Sequence, residues 1–352
     1  MKKFLLSLLA TATLVGCGSK DDNEPVYSPE DGKTIVKNTM ESVYDCFKKA
    51  NDGSFADFLF QVNKKSGDNT WAEYLGEKFY DQYDTQKNGG FNFQELKGIY
   101  TWNVVTKEWS KTGSSSNITW IFPATANGTN LNGRAVLENY QDKVITVESD
   151  SERFPVKGHI IITVDNKKVA EMKLNNVTFE ENTNFLFPNH IDLTIYTEPF
   201  TTTVKLTKRT AEEFLFDFSL SSPKGCTTVL RANAKLTSSN YNSFTSVEEA
   251  FDNINLIAIQ NDLQLVAKVD VKAIHKAGKK IGDLTTEEVN TYVKAELFKV
   301  NGGKIADVKY AVEGDDDIIY FIYSDGSKVK AEEYVSDFQE KVKNIFKRFF
   351  NE

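Results

Sequence analysis

The chain has 352 residues, with 42 basic and 50 acidic side chains and a formal charge of −8 at neutral pH. That balance argues against a nucleic-acid partner, because neutralising phosphates needs clustered Lys and Arg. The 25 Phe, 14 Tyr and 4 Trp supply core material for one large domain or two ordinary ones.

The first element is MKKFLLSLLATATLVGC. Lys2 and Lys3 precede an apolar run, Phe4 to Val15, that is short for a bilayer span. It reads as a secretory leader, residues 1–16, that ends Leu14-Val15-Gly16-Cys17. An aliphatic residue, then a small one, then cysteine resembles the lipobox of bacterial lipoproteins. The resemblance implies that cleavage before Cys17 exposes a cysteine that is diacylated, with palmitate-type chains, and then N-acylated. At about 0.8 kcal/mol per buried CH₂, several chains together anchor a protein stably. The next residues, Gly18-Ser19 and Lys20-Asp21-Asp22-Asn23-Glu24, lack the aspartate after the cysteine that retains many lipoproteins in an inner membrane. Their acidic tract resembles the surface-export signal of Bacteroidetes lipoproteins. The implied location is the outer membrane, lipid-anchored and surface-exposed. The same tract would make a solvated tether on physical grounds alone, and residues 17–30 are read as one. Losing Lys2 and Lys3 with the leader takes the formal charge from −8 to −10.

Val36, Met40, Val43 and Phe47 recur at steps of four, three and four, which predicts a helix over residues 31–49. Phe55, Phe58, Leu59 and Val62 predict a second helix, and Trp71, Leu75 and Phe79 a third that ends near Tyr83. Once Cys17 carries lipid, Cys46 and Cys226 are the two remaining thiols. In an oxidising compartment they either pair across the chain or stay as separate buried thiols; spacing alone does not decide.

DTQKNGGFNFQE, residues 84–95, follows the third helix and matches the twelve-residue calcium loop. Asp84, Gln86, Asn88, the Gly90 carbonyl, Asn92 and Glu95 hold the ligand positions, and Gly89 the sharp turn. Three features oppose calcium. Gln86 is neutral, no second loop of this kind follows, and the chain after Glu95 runs into Gly98 and a strand-like Ile99-Tyr100-Thr101-Trp102. The expectation is therefore a turn that joins a helical cap to a sheet, with a calcium site as its alternative.

Tyr100, Trp102 and Val104 alternate with polar residues, as do Ile118, Trp120 and Phe122. Strands are then predicted at 133–147, 157–164, 168–179, 190–197, 200–207, 212–220 and 226–237, with turn tokens between them. With no helices intervening, this argues for an antiparallel meander. Trp102, Trp109 and Trp120 suit either the packed face of that sheet or a stacking surface for glycans.

Past residue 240, Val247, Phe251 and Ile254 predict a helix over Ser246–Ile259, and Thr285/Thr286-Glu287-Glu288 starts another. Strands are predicted at 262–272, 293–300, 303–312 and 317–323, and Tyr334, Phe338, Val342, Ile345 and Phe349 mark a final amphipathic helix. The fold class is α+β, with N-terminal helices, a large antiparallel meander and C-terminal mixed strands before the terminal helix. Residues 31–240 hold the cap and sheet and 241–352 the C-terminal portion, which one domain could contain.

Catalytic signatures are sparse. His159, His190 and His275 stand apart, with no metal-ligand spacing, nucleophile elbow or phosphate loop around them. Beyond the leader, the Tyr-Thr-Trp-Asn strand and the Tyr323-Ser324-Asp325-Gly326-Ser327 turn resemble those of uncharacterised Bacteroidetes lipoproteins. The expected role is non-enzymatic binding or structure at the membrane, without a cofactor unless calcium binds. A carrier of an apolar ligand, a glycan-binding lipoprotein and an unrecognised enzyme are the alternatives.

Overall fold

The computed structural model describes residues 26–63, 71–72, 91–125, 128–147, 150–180, 188–244, 247–314 and 316–350. The leader, Cys17 and most of the 84–95 loop lie outside these residues, as does all of the third predicted helix but Trp71 and Ala72. Two compact units divide the chain: residues 48–204 with 345–352, and residues 1–47 with 205–344.

In the first of these units the strands are β1 (Gly98–Asn103), β2 (Glu108–Gly113), β3 (Ile118–Phe122), β4 (Gly133–Val147), β5 (Asp150–Val164), β6 (Lys167–Phe179) and β7 (Pro188–Thr197). They lie in the order β2-β1-β3-β4-β5-β6-β7, followed by β8 (Phe200–Lys208), in which the division at 204/205 falls. Among the described residues, the pairings from β1 to β7 depart from antiparallel once: β3 returns alongside β1 in parallel, Gly98 opposite Ile118 and Tyr100 opposite Trp120. Alternation drives the core, since Tyr100, Trp102, Trp109, Ile118, Trp120 and Phe122 are all buried together with Phe58 and Phe93. A helix, Ser54–Asn63, starts where Gly53 passes against the Glu198-Pro199 turn; a Cβ on Gly53 would sit 2.2 Å from the Glu198 carbonyl oxygen. Glu198 then accepts a hydrogen bond from the Ser54 N–H at 2.7 Å, which satisfies one of the free amides of the helix.

The other unit continues from β8 through β9 (Glu213–Ser222), β10 (Cys226–Leu236), β11 (Phe251–Gln260), β12 (Leu263–Val269), β13 (Val293–Lys299), β14 (Lys304–Glu313), β15 (Asp316–Ile322) and β16 (Lys328–Lys330), each beside the next. The pairings from β9 to β16 are antiparallel. The long helix α1 (Pro29–Asn51) buries Val36 against Leu297, Ile305, Ala306 and Tyr323. At the other end of the strands Val271, Ile274, Leu284 and Val289 pack on Val269 and Tyr310.

The helix expected over 246–259 is instead a single turn, Val247–Ala250, followed by β11. Helical spacing over so few residues could not compete with pairing on both sides, where Leu256 faces Ala232 of β10 and Ala267 of β12. A short helix, Val271–Lys276, had no clear periodicity; it starts where the Asp270 carboxylate accepts the Ala273 N–H at 2.9 Å. The helix at Thr286–Tyr292 begins at the Thr285 and Glu288 capping box. The final helix is broken into a 3₁₀ turn at Ala331–Tyr334 and helices at Phe338–Ile345 and Lys347–Phe350. The polar run near 240 is no boundary between the units, because Tyr241 and Phe244 are buried and the Tyr241 hydroxyl donates to the Ala211 carbonyl at 2.6 Å. At this level the chain is α+β and dominated by a large sheet.

Candidate functional site

Of the calcium-loop residues, Asp84, Gln86, Asn88 and Gly90 lie outside the described residues, while Asn92 and Glu95 are within them. Asn92 caps a four-residue helix, Phe93–Leu96, and its side-chain oxygen accepts the Glu95 N–H at 3.3 Å. One turn of helix and then β1 at Gly98 is a shorter exit than calcium loops use to hold their last ligand.

Trp102, Trp109 and Trp120 are 4%, 6% and 6% exposed, which leaves no indole face for a sugar. Strand alternation puts them on the packed face, with Trp102 edge-on to Trp109 at 5.5 Å between ring centres. Trp71 stacks on Phe122 at 4.0 Å, and its carbonyl accepts the Trp109 indole N–H at 3.2 Å.

Cys46 of α1 is joined to Cys226 at the start of β10, with Cα atoms 5.7 Å apart. Ser42, one turn earlier on α1, accepts a hydrogen bond from the Asn261 amide at 2.6 Å. The Asn261 side-chain oxygen accepts the Thr227 N–H at 2.9 Å, so one asparagine ties helix and strand ends together. Asn261 has a left-handed backbone, φ 50°, which asparagine tolerates well.

A polar cluster whose members are far apart in sequence lies across β4, β5 and β6. Register sets Glu138 opposite His159, and Glu171 opposite Ile161, two residues along. His159 Nδ1 lies 2.9 Å from Glu138 and Nε2 2.6 Å from Glu171. Lys168 bonds the other Glu171 oxygen and lies over the Tyr196 ring at 4.7 Å. The Lys168 hydrogen bond, more than that of His159, holds the Glu171 carboxyl below its ordinary range against the opposing effect of burial. With a carboxylate within hydrogen-bond distance of each ring nitrogen, His159 cross-links three strands.

A cleft of about 390 Å³ lies beside Tyr140, Asp142 and Arg153, and one of about 620 Å³ between α1 and residues 329–341. Tyr44 lines the second cleft, with its ring 4.6 Å from the Lys341 ammonium. A third, of about 750 Å³, lies between Ile35, Asn38 and Ser42 of α1 and the ends of β10, β11 and β13. All three carry charged or amide side chains; none is the Phe- and Val-lined enclosure that a carrier of apolar ligands needs.

No protein-family model matches the chain, and neither the curated proteins nor the solved structures compared with it give a significant match.

Proposed function

We propose that the chain is a lipid-anchored protein of the outer membrane, exposed at the cell surface, with a non-enzymatic binding or structural role. The observation that carries this reading is Leu14-Val15-Gly16-Cys17 behind a basic, apolar leader. Val26, which pairs with Lys304, follows Cys17 by nine residues. That length of chain reaches at most about 30 Å, so the anchor keeps the unit containing α1 close to the bilayer. A binding or structural role suits an acidic body with open, polar clefts and a histidine held between two carboxylates. In the test, full-length chain and Cys17→Ser are expressed in a bacterium with lipoprotein processing and then fractionated. The parent chain is expected in the membrane fraction with incorporated labelled palmitate, and the variant in the soluble fraction without label. Equal membrane association of both would refute the anchor.

A further inference from the structure

The 750 Å³ cleft is bounded on one side by successive turns of α1 and on the other by strand ends, and Asn261 bridges the two. Its lining combines an apolar part, Ile35, Val229 and Ile259, with Asn38, Asp262 and Lys299. Asp262 immediately precedes Leu263, the cross-strand partner of Lys299, and both charged residues line the cleft. The Val300 N–H donates to the Asp262 carbonyl at 2.8 Å, which fixes both backbones. Yet no ion pair or side-chain hydrogen bond among the described residues engages Asp262, Lys299 or Asn38. Opposite charges that line one cleft without pairing with each other are placed to receive a molecule that carries both charges. An apolar wall next to them receives the rest of that molecule.

We propose that this cleft binds a free α-amino acid with an apolar side chain. Lys299 takes its carboxylate, Asp262 its ammonium, and the Asn38 amide a remaining carboxylate lone pair. The side chain lies on Ile35, Val229 and Ile259. The assignment rests on the binding role proposed above, though not on the lipid anchor.

The test is calorimetric titration of the detergent-solubilised full chain with L-leucine, L-leucinamide, which lacks the carboxylate, and 4-methylpentanoate, which lacks the ammonium. Leucine is expected to bind and each analogue to bind about tenfold or more weakly, since each loses a charge-assisted contact. Lys299→Met and Asp262→Asn, substitutions outside the core, should each weaken leucine binding to the same extent. Leucine should also slow hydrogen exchange in residues 35–42 and 299–302. No heat and no protection at millimolar leucine would mean a water-filled cleft and overturn the proposal. Equal binding of leucine and an analogue, or undiminished binding in both variants, would overturn it as well. A chain that fractionates with membranes but ignores leucine sinks this assignment alone.

Discussion

At the scale of single residues, Glu288 shows how a surface carboxylate can set acid behaviour. A hydrogen bond from Lys279, then those from the Thr285 backbone and hydroxyl, hold its carboxyl at about 2. Because the folded value lies below the unfolded one, its contribution is complete above ordinary carboxylate pH and is lost as pH falls through about 4.5 to about 2. Urea unfolding of Glu288→Gln, followed across that window, should show a shallower acid loss than the parent. Asn290 acts differently, by standing in for a strand: it accepts the Tyr310 N–H at 3.0 Å and donates to the Tyr310 carbonyl at 2.7 Å. Asn290→Ala leaves both backbone groups without partners and should cost about 1–3 kcal/mol in denaturant unfolding, with an unchanged m-value. The Thr285 part of the Glu288 role is local and legible as a helix start, whereas Lys279 and Tyr310 are partners that only the fold brings near. The same holds for His159, since nothing near it in sequence shows that strand register makes Glu138 and Glu171 its partners.

At the scale of elements, legibility followed the number of periods each segment repeats. α1 and the long strands β4 to β10 repeat their pattern many times, and their sequence signals are correspondingly clear. β11 was misread because Val247, Phe251 and Ile254 satisfy a helical spacing that its neighbours on both sides override. The parallel pairing of β1 and β3 had no local signal, since nothing in either strand states which neighbour it will take. The clefts were hidden for a related reason: Asn261 looks like an ordinary turn residue until its amide is seen bonding Ser42. Between elements, the bond from Cys46 to Cys226 closes a separation of 180 residues. On the chain-entropy account, opening it with Cys46→Ala and Cys226→Ala together should cost about 2–5 kcal/mol, read as a lower urea midpoint. Reductant should shift the parent toward the variant and leave the variant where it is.

At the scale of the whole molecule, the aromatic wealth of the sequence went into packing. Phe, Tyr and Trp side chains interlock in the core of residues 48–204, and the C-terminal Phe349 meets Phe60 at 5.6 Å between ring centres. Arg348 adds a hydrogen bond from its Nε to Asn51 at 3.0 Å and an ion pair to Asp57. The chain end is thereby fastened to the unit that contains residues 48–204.

The disulfide also has a mechanical meaning. A pull on the N-terminus is delivered first to Val26, whose neighbour Tyr27 donates its N–H to Lys304 at 2.9 Å. Tension can then unwind α1 from its start, one turn after another. It meets a covalent stop at Cys46, which is bonded to β10, so the load passes into the sheet through Cys226 without peeling it strand by strand. Once Val26 and Tyr27 leave Lys304, unwinding the residues up to Cys46 can lengthen the chain by about 40 Å under oxidising conditions, about 70 Å of extended chain less the length already spanned as helix. With the anchor proposed above, the protein would carry its own strain limit.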